Sequence, residues 1–242
     1  MSSQRIETDE RYVAVLTGDL VGSTSHRYSQ PENSPGHALD SLVDALRFVT
    51  VELLHGRVVG FDLFRGDSFQ GIVHEPSSAL SAALSIRMHL RSRSSLISPH
   101  LPVLDARIAI GIGKVSSFSG ERVSEFDGSA FRRSGPLLDK MANREARLRI
   151  STPWERVTAE LETEFALLDS LVSKWSAEQA EAATYSLLGM KQTKIAEHLN
   201  VSQSAIAQRL GRAEMNAVKT LLSRYRFLID TNISRKSDND VI

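Results

Sequence analysis

The chain has 242 residues, 41% of them hydrophobic, with 29 basic and 29 acidic side chains and no cysteine. That much apolar material supports a real core, in one large domain or a medium domain plus a small one. The missing thiols exclude disulfides and thiolate metal sites and fit a reducing compartment. No stretch approaches the ~18 uninterrupted apolar residues of a membrane span, and the polar start "MSSQRIETDER" lacks the apolar run of a signal peptide. A soluble, cytoplasmic protein with no membrane partner is expected.

Tyr12 to Leu16 ("YVAVL") is a short apolar run ending at Thr17, Gly18 and Asp19, as a buried strand does on entering a turn. After the loop "SQPENSPGH", apolar residues from Leu39 to Leu53 recur at helical spacing and predict a helix over 38–54. Residues 57–64 and 68–74 read as strands flanking "RGD", a hairpin whose turn Gly66 tolerates. Pro76 opens a second helix at a favoured first position. "VLDARIAIGIGKV" is a strand, 129 to about 147 a third helix despite Gly135 and Pro136, and "LRIST" a closing strand. This β-α-β-β-α-β-α-β order resembles a ferredoxin-like core, a sheet with helices on one face.

Beyond Thr152 the pattern is helical throughout, so the expected class is α+β. Residues 1–152 form the ferredoxin-like domain and 153–175 a connector helix. Residues 176–230 form an all-α helix-turn-helix domain, and 231–242 a disordered tail. The connector places Val157, Leu161, Phe165, Leu168, Leu171 and Val172 on one face, suited either to a homodimer seam or to packing on its own domain.

The stretch "QTKIAEHLNVSQSAIAQRL" carries the sharpest local pattern. Ile195, Ala196, Leu199, Val201, Ile206 and Leu210 are its buried-type positions, and the small Ala196 lets two helices cross closely. Asn200 suits a left-handed turn residue, and Ser202 a helix N-cap. The spacing resembles the helix-turn-helix of λ Cro-type repressors and of the last region of sigma factors. That resemblance implies double-stranded DNA as partner, with Gln192, Thr193, Ser202, Gln203, Ser204, Ala207, Gln208, Arg209 and Arg212 as candidate contacts. Gln pairs bidentately with adenine, and Arg reaches bases or phosphates. Between Lys191 and Arg226 seven Lys/Arg stand against two Glu, a local basic excess in a neutral chain. A helical hairpin that only dimerises is the alternative.

"VLTGDLVGST" and "FRGDSFQGIV" resemble the class III nucleotide cyclases, whose strand-loop reads "D-[IL]-x-G-[SF]-T" and whose hairpin contains "G-D"; the hairpin is also similar to that of GGDEF-type diguanylate cyclases. "ARIAIGIGKV" and "EFDGSAFRRSGPLL" continue the likeness over about residues 12 to 150. The resemblance implies a ligand site of Asp19, Leu20, Gly22, Ser23, Thr24, Arg65, Gly66, Asp67, Asp127, Arg132 and Arg133. In it Asp19 and Asp67 hold Mg²⁺ carried by a nucleotide or cyclic nucleotide effector, with Arg65, Arg132 and Arg133 beside them for phosphates. The alternative for both aspartates is turn and capping chemistry.

The pattern also departs from the cyclases. Their catalytic Asn falls on Arg132, their transition-state Arg on Pro136, and their base-selecting Lys on Leu63, while Glu125 keeps an acidic partner position. Proline supplies neither charge nor a hydrogen bond to a developing phosphate charge. The order of the two halves, with "DGSAFRR" ahead of a C-terminal helix-turn-helix, is similar to the SatD family. The leading expectation is a transcriptional regulator whose degenerate cyclase-like domain binds a nucleotide-type ligand or dimerises. An active metal-dependent nucleotide-processing enzyme and a protein-interaction scaffold are the alternatives.

Overall fold

The structure, a computed structural model, describes residues 11–21, 35–55, 58–64, 66–97, 103–115, 123, 126–141 and 145–239. Five strands form one sheet: β1 (Tyr12–Leu20), β2 (Val58–Phe64), β3 (Ser68–Val73), β4 (Ala106–Lys114) and β5 (Leu148–Ser151), in the order β2-β3-β1-β4-β5. β1 runs antiparallel to both β3 and β4, β2 is antiparallel to β3, and β5 is parallel to β4. Helix α1 (Pro35–Phe48) leaves through a π turn at Val49–Leu53. Helix α2 (Ala79–Ile97) is entered through a 3-10 turn at Pro76–Ser78, and α3 (Ser129–Met141) precedes β5. The element order is the expected one, although 145–147, expected within α3, are not helical.

The two-residue period of a strand separates two cores. Ala14, Leu16 and Leu20 face α1 and α2 in the large core, whereas Val13 and Val15 join Ile72, Val115, Val123, Phe126 and Ala130 on the other side. Helices therefore cover both faces of the sheet, which corrects the expectation of helices on one face. Small residues make this possible. A Cβ at Gly111 would stand 2.3 Å from the Ala130 carbonyl oxygen, and one at Gly113 would stand 2.4 Å from the Ser129 hydroxyl. Only glycine lets α3 settle so close to β4.

Five further helices follow: α4 (Glu155–Val172), α5 (Ala177–Leu187), α6 (Gln192–Leu199), α7 (Gln203–Arg212) and α8 (Met215–Asn239). The apolar stripe of α4, from Val157 to Val172, is buried in the same core as the sheet. α4 is thus spent on its own chain. That core runs on into α5, which lies along α2, and into α8, whose fully buried Tyr225 donates its hydroxyl to the Pro76 carbonyl at 2.9 Å. The helix α8 continues through Asn239, so residues 231–239 are helical where a tail was expected; Ile233 still packs on the core. Among the described residues no helix is long and apolar enough to cross a membrane.

A buried charge cluster ties these layers. Arg87 is fully buried and donates Nε–H and Nη2–H to the two oxygens of Asp105 at 2.8 and 2.9 Å. Its Nη1 lies 2.8 Å from Asp169 on α4, an ion contact without hydrogen-bond geometry. Arg91 adds a 3.1 Å bond to Asp105 and two 2.8 Å bonds to the Ser173 and Trp175 carbonyls. Burial alone would raise the Asp105 pKa, but the Arg87 guanidinium, then Arg91 and the Ala106 N–H, hold it below its ordinary 3.8. Because the folded pKa is depressed, this stabilisation is complete above 3.8 and is lost as pH falls below it. Asp105→Leu is expected to cost about 3–5 kcal/mol by leaving a buried guanidinium short of its partner. Urea unfolding at pH 7 checks this, and the gap between variant and wild type should shrink toward pH 3, in the window named above.

Candidate functional site

The rim where β1 meets the β2–β3 hairpin holds the first candidate site. The Leu20 N–H donates to the Asp67 carbonyl at 3.1 Å, so Asp19 and the hairpin turn do lie side by side. Leu20 itself is a core residue at 4% exposure, and Gly66, at φ +86°, makes the exposed turn. On the same face of the sheet, Gln70 donates to the Thr17 hydroxyl at 2.9 Å, which donates to Ser134 of α3 at 2.8 Å. Gly22, Ser23, Thr24, Arg65 and Glu125 lie outside the described residues.

Asp19 has a partner that sequence reading did not name. The β1–β4 register sets Arg107 directly across from it. The guanidinium donates Nε–H to Oδ1 at 2.8 Å and Nη2–H to Oδ2 at 2.7 Å. Such a two-pronged, charge-assisted pair occupies the carboxylate edge that a cation would use. Among the described residues no group of three or more His, Cys, Asp or Glu stands close enough to hold a metal ion. With Arg107 on both Asp19 oxygens, the Asp19 carboxylate as paired here does not fit a Mg²⁺ ligand, while Gly22, Ser23, Thr24 and Arg65 of the expected set lie outside the described residues. The signal in the sequence was "DARIAIGIG", legible only once β4 is known to flank β1, since opposite charges across an antiparallel pair attract.

The remaining expected ligand residues are elsewhere. Gly128 bridges to Val115, just beyond the pairing of Tyr12 with Lys114. That end of β1 is seven residues from Asp19, or roughly 23 Å at strand rise. Asp127 accepts the Gly128 N–H at 2.6 Å and pairs with Arg132 at 3.0 and 3.1 Å, both side chains largely exposed. Arg133 donates to the Thr152 carbonyl at 2.9 Å and ties α3 to the end of β5. Neither arginine stands beside Asp19 and Asp67, which corrects that expectation. The cause is the direction of α3: it starts at the far end of the sheet and reaches Thr17 only at Ser134. Pro136 lies inside α3, and Leu63 is exposed on β2.

The second candidate site is the α6–α7 pair. Ile195, Ala196, Ile206 and Leu210 are buried. Asn200 closes α6 in the left-handed conformation at φ 51°, and the Ser202 hydroxyl caps α7 by accepting the Ala205 N–H at 3.2 Å. Ser202 and Ser204 share a 2.9 Å hydroxyl contact. With the interior so assigned, Gln192, Thr193, Ser202, Gln203, Ser204, Ala207, Gln208 and Arg212 are all exposed. Arg209 departs from the expected set. It stands one turn beyond Ile206 and turns back to Glu181 of α5, 3.7 Å away and 24% exposed. His198 likewise reaches back, its Nε2 lying 2.9 Å from the Tyr185 hydroxyl. Glu181, Tyr185 and His198 carry no motif that sequence reading would single out.

No protein-family model matches the chain, and no curated protein matches it. Solved structures do. A bacterial light-regulated adenylyl cyclase is similar at 14% identity over 59% of this chain and 76% of that one, TM-score 0.46. The adenylyl cyclase CyaB from P. aeruginosa is similar at 17% identity over 56% and 74%, TM-score 0.39. The guanylyl cyclase Cya2 is similar at 18% identity over 66% and 80%, TM-score 0.41. At this level the likeness is one of a mixed α+β fold and carries no residue roles. If Arg107 fills the cation position at Asp19, wild-type protein gives no saturable Mn²⁺–ATP signal by manganese electron paramagnetic resonance. Arg107→Ala, which frees both Asp19 oxygens, should then gain one.

Proposed function

We propose that the chain is a DNA-binding transcriptional regulator. In this reading α6 and α7 form a helix-turn-helix, and a ferredoxin-like, cyclase-like sheet domain of the SatD type senses a signal and pairs two copies. The observation that carries it is the division of α7: Ile206 and Leu210 are buried while Gln203, Ser204, Ala207 and Gln208 are exposed together at its N-terminal half. A recognition helix enters the major groove by that end, and glutamine side chains read adenine edges there. Seven Lys/Arg against two Glu between Lys191 and Arg226 supply the phosphate attraction. A dimer would read two half-sites about one turn of duplex apart.

Enzymatic phosphate chemistry has less support. Arg107 occupies the Asp19 carboxylate, Arg132 is paired with Asp127, and Pro136 offers no donor. A cyclase stabilises charge on the reacting phosphate with cationic or hydrogen-bonding groups, and among the described residues Arg107 and Arg132 are already engaged by carboxylates.

A genomic DNA pull-down followed by fluorescence polarisation on recovered sequences tests the regulator reading. Gln203→Ala should relax preference at one base position, at a cost of about 1–3 kcal/mol for the favoured base. Arg212→Ala should weaken all sequences alike and reduce the salt slope by about 1. Equal, salt-insensitive binding by all three proteins, or none at low salt, would end this reading.

A further inference from the structure

Between α1 and α2 on one side and α5 on the other lies a cleft of about 240 Å³, lined by Phe48, His89, Arg93, Glu178, Glu181 and Tyr185. It is remote in character from both sites above, being neither sheet rim nor exposed face of α7. His89 is only 9% exposed, and its ring centre lies 5.0 Å from that of Phe48. Its Nε2 is buried without any hydrogen-bond partner. Proteins rarely leave such an atom unsatisfied, so a group bound in the cleft is the natural complement. Burial, and after it the Arg93 charge, push the His89 pKa down to about 4 against the pull of Asp44, so the ring is neutral at pH 7.

The lining specifies a chemistry. Two carboxylates stand against one guanidinium. Glu178 is held below its ordinary pKa, first by the Ser176 hydroxyl, which donates to it at 2.7 Å. Glu181 has Arg209 only at 3.7 Å, long for an ion pair, and retains capacity for a closer cation. The aromatic rings of Phe48 and Tyr185 favour an apolar ring next to a positive charge. The volume falls below that of sites for drug-sized molecules, which suits one ring with a short chain.

We propose that this cleft binds a small aromatic ammonium compound, its ring against Phe48 and Tyr185 and its ammonium on Glu178 and Glu181. A ring hydroxyl would partner the otherwise unsatisfied His89 Nε2 and take the Arg93 guanidinium as donor. Occupation has a consequence for α7: the incoming ammonium competes with Arg209 for Glu181. Arg209, released from α5, adds a cation to the face of α6 and α7. Only this consequence rests on the regulator reading; the binding itself does not.

Calorimetric titration of the full chain with tyramine, without DNA, is the test. Saturable binding is expected, weakened at least about tenfold by Glu181→Gln, which loses the charge at constant shape. Ser92→Trp, at the cleft wall, should abolish it, with circular dichroism confirming the fold; Glu181→Gln decides the matter if Ser92→Trp fails to fold. The anion 4-hydroxyphenylacetate should not bind. No tyramine binding, equal binding by wild type and Glu181→Gln, or preference for the anion would overturn the proposal. Polarisation on duplex DNA with and without tyramine reads the consequence: tighter binding is expected in wild type and no response in Glu181→Gln. A chain that binds tyramine but ignores DNA would refute the regulator reading while leaving the cleft assignment standing.

Discussion

The buried set of Arg87, Arg91, Asp105 and Asp169 is the constraint on which the rest of the architecture depends. Guanidinium groups cannot shed their charge, so once α2 places Arg87 in the interior, opposite charges must converge on it from other elements. Asp105 does so from the start of β4 and Asp169 from α4, while Arg91 collects the carbonyls that end α4. Such a cluster adds little net stability over an apolar core and a great deal of geometric demand. It leaves α4 one place to lie. The helices after it inherit that placement, which is why α5 settles on α2 and α8 reaches back to Pro76.

Within that frame, helices lie on both faces of the sheet. α1, α2 and α4 share the core on the first. α3 covers only part of the second, because its approach requires Gly111 and Gly113 on β4. From its contact with Thr17 at Ser134 onward, the strands present Thr17, Gln70, Asp19 and Arg107. These polar groups satisfy one another, with Arg107 meeting Asp19 in the manner that a cation meets a carboxylate elsewhere. Among the described residues of this rim, both Asp19 oxygens are engaged.

Local rules made most of the elements legible. The apolar run at Tyr12, the glycine turn at Gly66 and the proline before α2 each act within a few residues, and strands and helices appear where they point. The α6–α7 pair was equally readable, because Asn200 and Ser202 close one helix and open the next by nearest-neighbour chemistry. What escaped depends on pairing between distant strands or helices. Arg107 meets Asp19 across 88 residues, and Arg209 meets Glu181 only because α7 packs on α5. The placement of α3 escaped for a related reason: two glycines in an apolar strand look like weak points until a helix is seen to use the space. The cleft at His89 has walls from three helices and no motif in any of them.

The helix α5 faces two ways, and that bounds how strongly the two halves can communicate. Its Glu181 and Tyr185 line the cleft against α1 and α2, while the same residues hold Arg209 of α7 and His198 of α6. The Glu181–Arg209 pair is partly exposed at 24% and 41% and is 3.7 Å long, so solvent screening keeps its worth within the ~0–1 kcal/mol of surface pairs. Exchange of that pair alone can then shift an equilibrium at α7 by no more than about fivefold. A larger response would require α6 and α7 to move as a body, carried by the Tyr185–His198 contact and by the buried Ile195, Ile206 and Leu210. Packed helices shift between discrete arrangements instead of deforming gradually. The size of any response at α7 therefore reports which of the two operates: a graded change of a few-fold belongs to a charge exchanged at Glu181, and a change of orders of magnitude to the helices repacking on α5.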